Sequence, residues 1–327
     1  MSPESRLAVR VLLAVALVGL LAPILANDRP ILARIDGRLV APAVADLPLV
    51  GGLFDDPSAR LVAWGAVGTS PPAAVVRVLM MPPVPYSYRG IRLDESLRPP
   101  SAGHLMGTDA LGRDLLARVL HGAQLSFLVG FGATALALLI GFCLGAFAGL
   151  RGGLVDLVIM RFLEVVACFP PFVLALAFMA ALGRTGVWPM VAGIALGRWT
   201  SMARYVRGEV LRHRGGEILI AARAAGAGSG RLVLRHLLPL LAAPLAVMVS
   251  FGVASAIVLE SGLSFLGFGV DPPVPSWGSI LAEARTTLDA AWWPVCFPSL
   301  ALLIVLASLC AAAERAAAGG SRGTPLA

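Results

Sequence analysis

Apolar residues in this chain gather into long runs divided by short, arginine-bearing segments, and only the stretch from Asn27 to about Gly122 breaks the pattern. The runs are Leu7–Ala26, Gln124–Leu150, Leu157–Leu182, Val187–Ala203, Leu240–Glu260 and Pro294–Ala313. A helix needs about 20 predominantly apolar residues to cross roughly 30 Å of hydrocarbon, so the pattern predicts an all-α polytopic membrane protein with six transmembrane helices. Residues 1–26 read as a retained N-terminal anchor, preceded by Arg6 and interrupted by Arg10. A secretory signal cut after Ala26 is the alternative, but the run is long for a signal core and Pro23 lies near its end.

The hydrophilic stretch, residues 27–122, interleaves Asp28, Asp36, Asp55, Asp56, Asp94 and Glu95 with arginine. Its near balance of charge suits the outer face. Short β-like pieces at Ile31–Ile35, Leu61–Trp64 and Val75–Met80 predict a small extracytoplasmic subdomain, and Pro82-Pro83 and Pro99-Pro100 keep its end extended. Thr108 or Asp109 is placed to cap a short helix starting near Ala110, with Leu111, Leu115, Leu116 and Val119 as an apolar face, so the region is expected to close with an interfacial helix. Residues 123–313 then form the membrane domain, with a cytoplasmic loop over 204–239, and 314–327 a small, glycine-containing, disordered tail.

Composition agrees: 58% of residues are hydrophobic, 14% are charged and the mean hydropathy is +0.84. The net charge of +7 is carried by arginine alone, for the sequence contains no lysine, and arginine placement reports topology rather than a nucleic-acid arm. Between Arg198 and Pro239, arginines at 198, 204, 207, 212, 214, 223, 231 and 235 face only Glu209 and Glu217. By the positive-inside tendency this loop is cytoplasmic, and six crossings put both termini on the same side. Cys143, Cys168, Cys296 and Cys310 lie in apolar runs and read as small packing residues; the histidines at 104, 121, 213 and 236 are scattered singly. Neither a metal set nor a catalytic constellation emerges, and without lysine no phosphate-binding G-x-x-x-x-G-K-[ST] loop is possible.

The segment Glu217–Pro239, EILIAARAAGAGSGRLVLRHLLP, is the most specific. Ile218 to Ala225 are good helix formers, and glycines at 226, 228 and 230 end a helix cheaply by permitting positive φ. With Ala221-Ala222, Gly226 and Leu238-Pro239 as its skeleton, it resembles the EAA loop of ABC-importer permeases, an elbow that docks on a separate ATPase. Two more stretches follow in that family's order. His104–Gln124, HLMGTDALGRDLLARVLHGAQ, is similar to the segment before the second membrane helix in the dipeptide/oligopeptide C-subunit branch, matching at Gly107, Thr108, Asp109, Gly112, Arg113, Asp114 and Arg118. Leu259–Leu281, LESGLSFLGFGVDPPVPSWGSIL, looks like the family's outer loop after the fifth span. ANDRPILARIDG at 26–37 and the enlarged outer region through Pro83–Tyr88 resemble a sub-branch associated with microcin C-type peptides and oligopeptides.

The resemblance implies the ABC-importer permease fold and a non-catalytic subunit of the bacterial inner membrane. It implies a heterodimer with a second permease, two ATPase subunits that bind the ATP inside, a solute-binding protein outside and a peptide substrate. No cofactor in this chain and no nucleic acid is implied. ATPase coupling would fall to Glu217, Ile218, Ile220, Ala221, Ala222, Arg223, Gly226, Arg231, Leu238 and Pro239. Ile220 stands where the loop usually carries glutamate, so docking would rest on apolar burial by Ile218, Ile220 and Ala221, with Arg223 or Arg231 pairing to acids on the ATPase. A permease for another solute, such as a metal chelate or glutathione, and a membrane-anchored receptor are the alternatives.

Within the spans, Glu164 reads either as a carboxylate lining the translocation path or as the partner of Arg161 one turn away. Pro170-Pro171 would kink the helix beside it, opening a cavity or serving packing. Trp188, Trp277, Trp292 and Trp293 read as interfacial anchors, and glycines at 130, 132, 141, 145 and 149 as a small-residue face permitting close helix contact.

Overall fold

The computed structural model describes residues 3–47, 51–54, 56, 59, 62, 64, 76–183 and 185–320. It divides into two compact units, one built mainly on Phe127–Leu263 and the other on Leu12–Ser126 with Ser264–Ile304.

Helix α1 (Pro3–Leu20) leads into the short α2 (Ala22–Leu25). A three-stranded antiparallel sheet follows, in the order β2 (Arg38–Val40), β1 (Leu32–Ile35), β3 (Val76–Met80). Two of its strands match the β-like pieces expected from the sequence. The piece at Leu61–Trp64 falls across residues outside those described. The third strand, β2, comes from a hairpin through Asp36-Gly37, whose φ angles of 46° and 84° are those of a tight primed turn. Ala33, Ile35, Val40 and Ala59 form a small core beneath the sheet, with Trp64 donating its indole N–H to the Ala59 carbonyl (2.9 Å).

Helix α3 (Leu115–Arg151) runs for 37 residues without a break, about 55 Å at helical rise. Among the described residues, no separate interfacial helix precedes it. The turn from Gly107 to Asp114 is closed by Asp109, which accepts from the backbone N–H of Leu111 (2.8 Å) and Arg113 (3.0 Å). The cap of α3 is Asp114, accepting from Ala117 N–H (2.8 Å), in place of the expected Thr108 or Asp109. Because Asp109 is spent on its own turn, the helix starts five residues later, at Leu115, and flows directly into the span.

The expected span Leu157–Leu182 is two helices, α4 (Gly153–Ala167) and α5 (Pro171–Leu182), bent by 79°. Pro170 and Pro171 lack the N–H groups that would continue α4, while Pro171 is tolerated at the first position of α5. Helix α6 (Val187–His213) absorbs the expected span Val187–Ala203 and ten further residues of the arginine-rich segment. That segment has good helix formers and no proline, and its helix stops only before Gly215-Gly216. The short α7 (Glu217–Ala224) follows. One helical turn (Ser229–Arg231) and a π-helical stretch (Leu232–Leu237) then lead into α8 (Leu238–Phe265). After α9 (Trp277–Ala284), α10 (Trp293–Gly320) ends the described chain. It passes straight through Glu314, where the sequence suggests a disordered tail; residues 321–327 lie outside those described.

Among the described residues, three helical stretches, Leu115–Arg151, Leu232–Phe265 and Trp293–Ala318, are long and apolar enough to cross a membrane, and the bent pair α4–α5 makes four if counted as one span. The other two expected spans do not meet that measure. The apolar part of the first helix, Val9–Leu20, is too short, and α6 carries Arg198, Arg204, Arg207 and Arg212 along its length.

The glycines of α3 do what their spacing predicts. A β-carbon at Gly141 would stand 2.8 Å from Ala203 N, one at Gly145 3.0 Å from Arg207 N, and one at Gly149 2.8 Å from Val210 Cγ1, so α3 packs backbone to backbone on α6. Cys143, Cys168 and Cys296, by contrast, are exposed on this chain, and the packing role expected of them is not what is found. In lipid an apolar run is not the inside of the protein, because lipid tails are as apolar as leucine.

Candidate functional site

The elbow after α6 is held from below by one side chain. Leu219 of α7 is 1% exposed and sits in a cluster with Ala146 of α3, Val206 and Val210 of α6, and Leu232, Leu237, Leu241 and Leu245 on the way into α8. Its neighbours Ile218 and Ile220 are 58% and 55% exposed. Ala222 packs partly against the cluster, whereas Glu217, Ala221 and Arg223 face outward. Glu217 in the first turn and Arg223 in the last complement the helix dipole.

The end of α7 is a Schellman motif. Gly226 adopts φ +80°, its N–H donates to Arg223 O (2.9 Å), and Ala227 N–H reaches back to Ala222 O (3.0 Å). The expected glycine break is therefore a defined turn at one residue. Beyond it the chain forms no separate second short helix: the turn at Arg231 runs through the π-helical stretch into α8. The widened stretch lies just ahead of Pro239, whose ring would otherwise press on the Arg235 carbonyl and which has no N–H to offer it. Arg231, Leu234, Arg235, Leu238 and Pro239 are exposed, so the elbow presents isoleucine, leucine and arginine together. Asp156 at the start of α4 pairs with Arg207 of α6 through both carboxylate oxygens, one of them at 2.5 Å from Nη2, and braces the helix that carries the elbow. Sequence reading missed this pair, since 51 positions separate its members.

Of the residues considered for a path, Glu164 accepts from Arg161 Nη1 at 2.7 Å, and both side chains are exposed on α4. The local pair is thus formed. Pro170 and Pro171 occupy the bend between α4 and α5.

The second matching motif forms a charged clasp in the other unit. Asp109 Oδ2 takes Arg113 Nε (2.7 Å) and Arg118 Nη1 (2.5 Å). Glu283 of α9 takes Arg118 through Nη1 (2.6 Å) and Nη2 (2.9 Å), and Arg113 Nη2 as well. Arg118 is only 2% exposed, so this two-acid, two-base arrangement neutralises a charge that could not stand alone. A cavity of about 10 Å³ beside it has no room for a ligand. Asp114 also receives His104 Nδ1 (2.8 Å), whose ring lies 4.5 Å from that of Tyr86, and Glu95 stands 3.4 Å from His104 Nε2. Burial works to raise the Glu95 carboxyl, but the hydrogen bond from Arg92 and the charges of His104 and Arg92 outweigh it and hold the group below its usual range.

Two tryptophans pin the clasp. Trp277 and Trp293, 1% and 6% exposed, donate their indole N–H to Val119 O (3.1 Å) and Thr108 O (2.9 Å). They are buried fasteners, not interfacial anchors; a carbonyl partner for the indole N–H lets the whole ring be buried. Trp188 and Trp292 remain exposed. Glu283 is the functional-looking residue the sequence reading passed over, and its signal was the pair of arginines, Arg113 and Arg118, in the second motif.

Residues 141–318 match the family described as binding-protein-dependent transport system inner membrane component. The dipeptide transport system permease protein DppC of Alkalihalophilus pseudofirmus is 37% identical over 220 residues, 67% of this chain and 72% of the relative. The di/tripeptide transport system permease protein DppC of Pseudomonas aeruginosa is 40% identical over 217 residues, 64% of this chain and 71% of that protein. Among solved structures, a chain of the inward-facing MetNI methionine ABC transporter aligns with a TM-score of 0.53 at 16% identity, covering 63% of this chain and 97% of its own, a likeness of fold.

Proposed function

Because this chain belongs to the family of binding-protein-dependent transport system inner membrane components, we propose that it is the permease subunit forming the transmembrane path for peptides in an ATP-driven importer. The di- and tripeptide transport named for its relatives supports the substrate class over a metal chelate or glutathione. The chain itself is non-catalytic. It pairs with a second permease, receives peptide from an extracytoplasmic solute-binding protein, and is driven by two ATPase subunits that bind the ATP. It crosses the inner membrane several times with both termini in the cytoplasm.

The observation that carries this reading is the elbow at Glu217–Pro239, anchored inward by Leu219 and offering Ile218 and Ile220 outward on a turn fixed by Gly226. Two exposed isoleucines beside Arg223 and Arg231 are the makings of a small docking surface with an apolar centre and a charged rim. ATP-driven closure of the ATPases would pull on this elbow, and the helices braced by Asp156–Arg207 would carry the movement to the path. Glu164 and the bend at Pro170-Pro171 are assigned to that path.

Two measurements test it. Tagging the chain, extracting it gently from native membranes and identifying its companions by mass spectrometry should recover an ATPase and a second permease. Repeated recovery of the chain alone would favour a receptor whose outer region does the work. In cells, Gly226→Pro should abolish peptide uptake while leaving membrane insertion intact, since proline can adopt neither the φ of +80° nor the hydrogen bond to Arg223. Normal uptake by that variant would remove the elbow from the mechanism.

A further inference from the structure

Within residues 12–126 a cavity of about 380 Å³ lies among Pro23 at the start of α2, the turn Ser87–Gly90 and the first turns of α3. Its size is at the lower end of small-molecule sites. Most of its polar walls are already satisfied. Asp46 takes Asn27 Nδ2 (3.0 Å) and Arg29 Nη1 (3.2 Å), leaving no charge over from that group.

Three wall groups are different. Arg89 is pinned by its Nε, which donates to Tyr88 Oη (2.9 Å), and by its guanidinium lying 5.1 Å from the Tyr88 ring centre, but its two terminal nitrogens have no partner among the described residues. Asp28 also lacks a partner there, so this carboxylate and this guanidinium share one recess without pairing to each other. His121 is buried, packs on Tyr88 at 4.4 Å, and has Nδ1 2.9 Å from Ala117 O. A carbonyl can only accept, so Nδ1 carries the proton and Nε2 of the neutral ring is left as an acceptor.

A recess with one free carboxylate, one free guanidinium and a spare acceptor discriminates by charge. A simple anion is opposed by Asp28, and a simple cation by Arg89. A molecule bearing both an ammonium and an anionic group on a short spacer satisfies both, through charge-assisted hydrogen bonds. We propose that this cavity binds such a zwitterion, with the ammonium at Asp28 and His121 Nε2 and the anionic group at Arg89. The termini of an amino acid or short peptide have this chemistry, and so does a phosphatidylethanolamine headgroup. The inference goes beyond the transport reading and does not depend on it, because it concerns a binding equilibrium away from the elbow and needs no ATP.

The test uses the full chain in nanodiscs of phosphatidylglycerol, which offers no ammonium, titrated calorimetrically with alanyl-alanine. Saturable binding is expected. It should weaken about tenfold or more in Asp28→Asn and in Arg89→Gln, as loss of one charge-assisted bond implies. Blocking the ammonium by acetylation should make binding indifferent to Asp28→Asn, and amidating the carboxylate should make it indifferent to Arg89→Gln. If phosphatidylethanolamine in the discs suppresses peptide binding, and both variants abolish selective retention of that lipid, the headgroup is the occupant and the proposal stands.

The proposal is overturned if neither alanyl-alanine nor phosphatidylethanolamine is held. It is equally overturned if binding ignores both substitutions while their unfolding temperatures match the parent. Gly226→Pro should bind as the parent does, so failure of this site and failure of the coupling role give different results.

Discussion

At the scale of single residues, the clasp of Asp109, Arg113, Arg118 and Glu283 sets the sharpest expectation. Arg118 is buried with two acids against it, and only Glu283 of those acids reaches solvent. Removing an acid leaves a buried guanidinium short of a counter-charge, which costs more than the bond itself was worth. Asp109→Asn should therefore lower the stability of the chain by about 3 kcal/mol, and Glu283→Gln by less, about 1–2 kcal/mol, because water can replace part of its role. Chemical denaturation in detergent reads both, and equal effects would mean that the buried and exposed acids are equivalent. Sequence alone placed the two arginines and Asp109 in one motif but not Glu283, which meets them from 165 positions away in Arg118's case. The same blindness explains Trp277 and Trp293. A tryptophan near a span end has two ordinary fates, and the carbonyl that decides between them is visible only in three dimensions.

At the scale of elements, local chemistry was legible where glycine or proline acted alone, as at the Gly226 break and the Pro170-Pro171 bend, and strands β1 and β3 follow from short β-like runs. Lengths were misread where two segments with compatible chemistry join. No proline interrupts 204–213 and its single glycine, Gly208, is tolerated inside the helix, so α6 continues through what charge had marked as loop, and Asp109 is a good cap that its own turn consumes. The elbow itself separates packing from docking in neighbouring residues. Leu219→Ala removes a buried side chain from the Val206–Leu245 cluster and should destabilise the chain by about 2–4 kcal/mol. Ile218→Asp changes an exposed residue and should leave unfolding almost unaltered, yet weaken recovery of the ATPase and cut uptake at least tenfold. If Ile218→Asp transports normally, the exposed isoleucines take no part in docking; if it unfolds like Leu219→Ala, the helix faces are misassigned.

At the scale of the whole molecule, hydropathy marked long apolar runs because hydrocarbon demands about 20 apolar residues whatever the fold, and four of the six expected spans, one of them bent in two, meet that measure among the described residues. It could not show which apolar faces turn inward, as the exposed cysteines illustrate, nor that an arginine-bearing helix such as α6 would continue without interruption. Topology is the remaining property that charge alone supports, and it has a direct test. The positive-inside tendency assigns the elbow to the cytoplasm, with eight arginines against two acids between Arg198 and Pro239. By the same reading the balanced region around β1–β3 is expected on the opposite side. In a variant lacking the four native cysteines, a single cysteine at exposed Leu53 should react with a membrane-impermeant maleimide in intact spheroplasts. One at exposed Arg231 should react only after permeabilisation. Both positions are exposed in the chain, so once the ATPase that would cover Arg231 is stripped from the membranes, failure to label reflects the membrane barrier and not burial. Reaction of both from the same side would require an odd number of crossings fewer or more between them, and would remove the elbow from the compartment where ATP is bound.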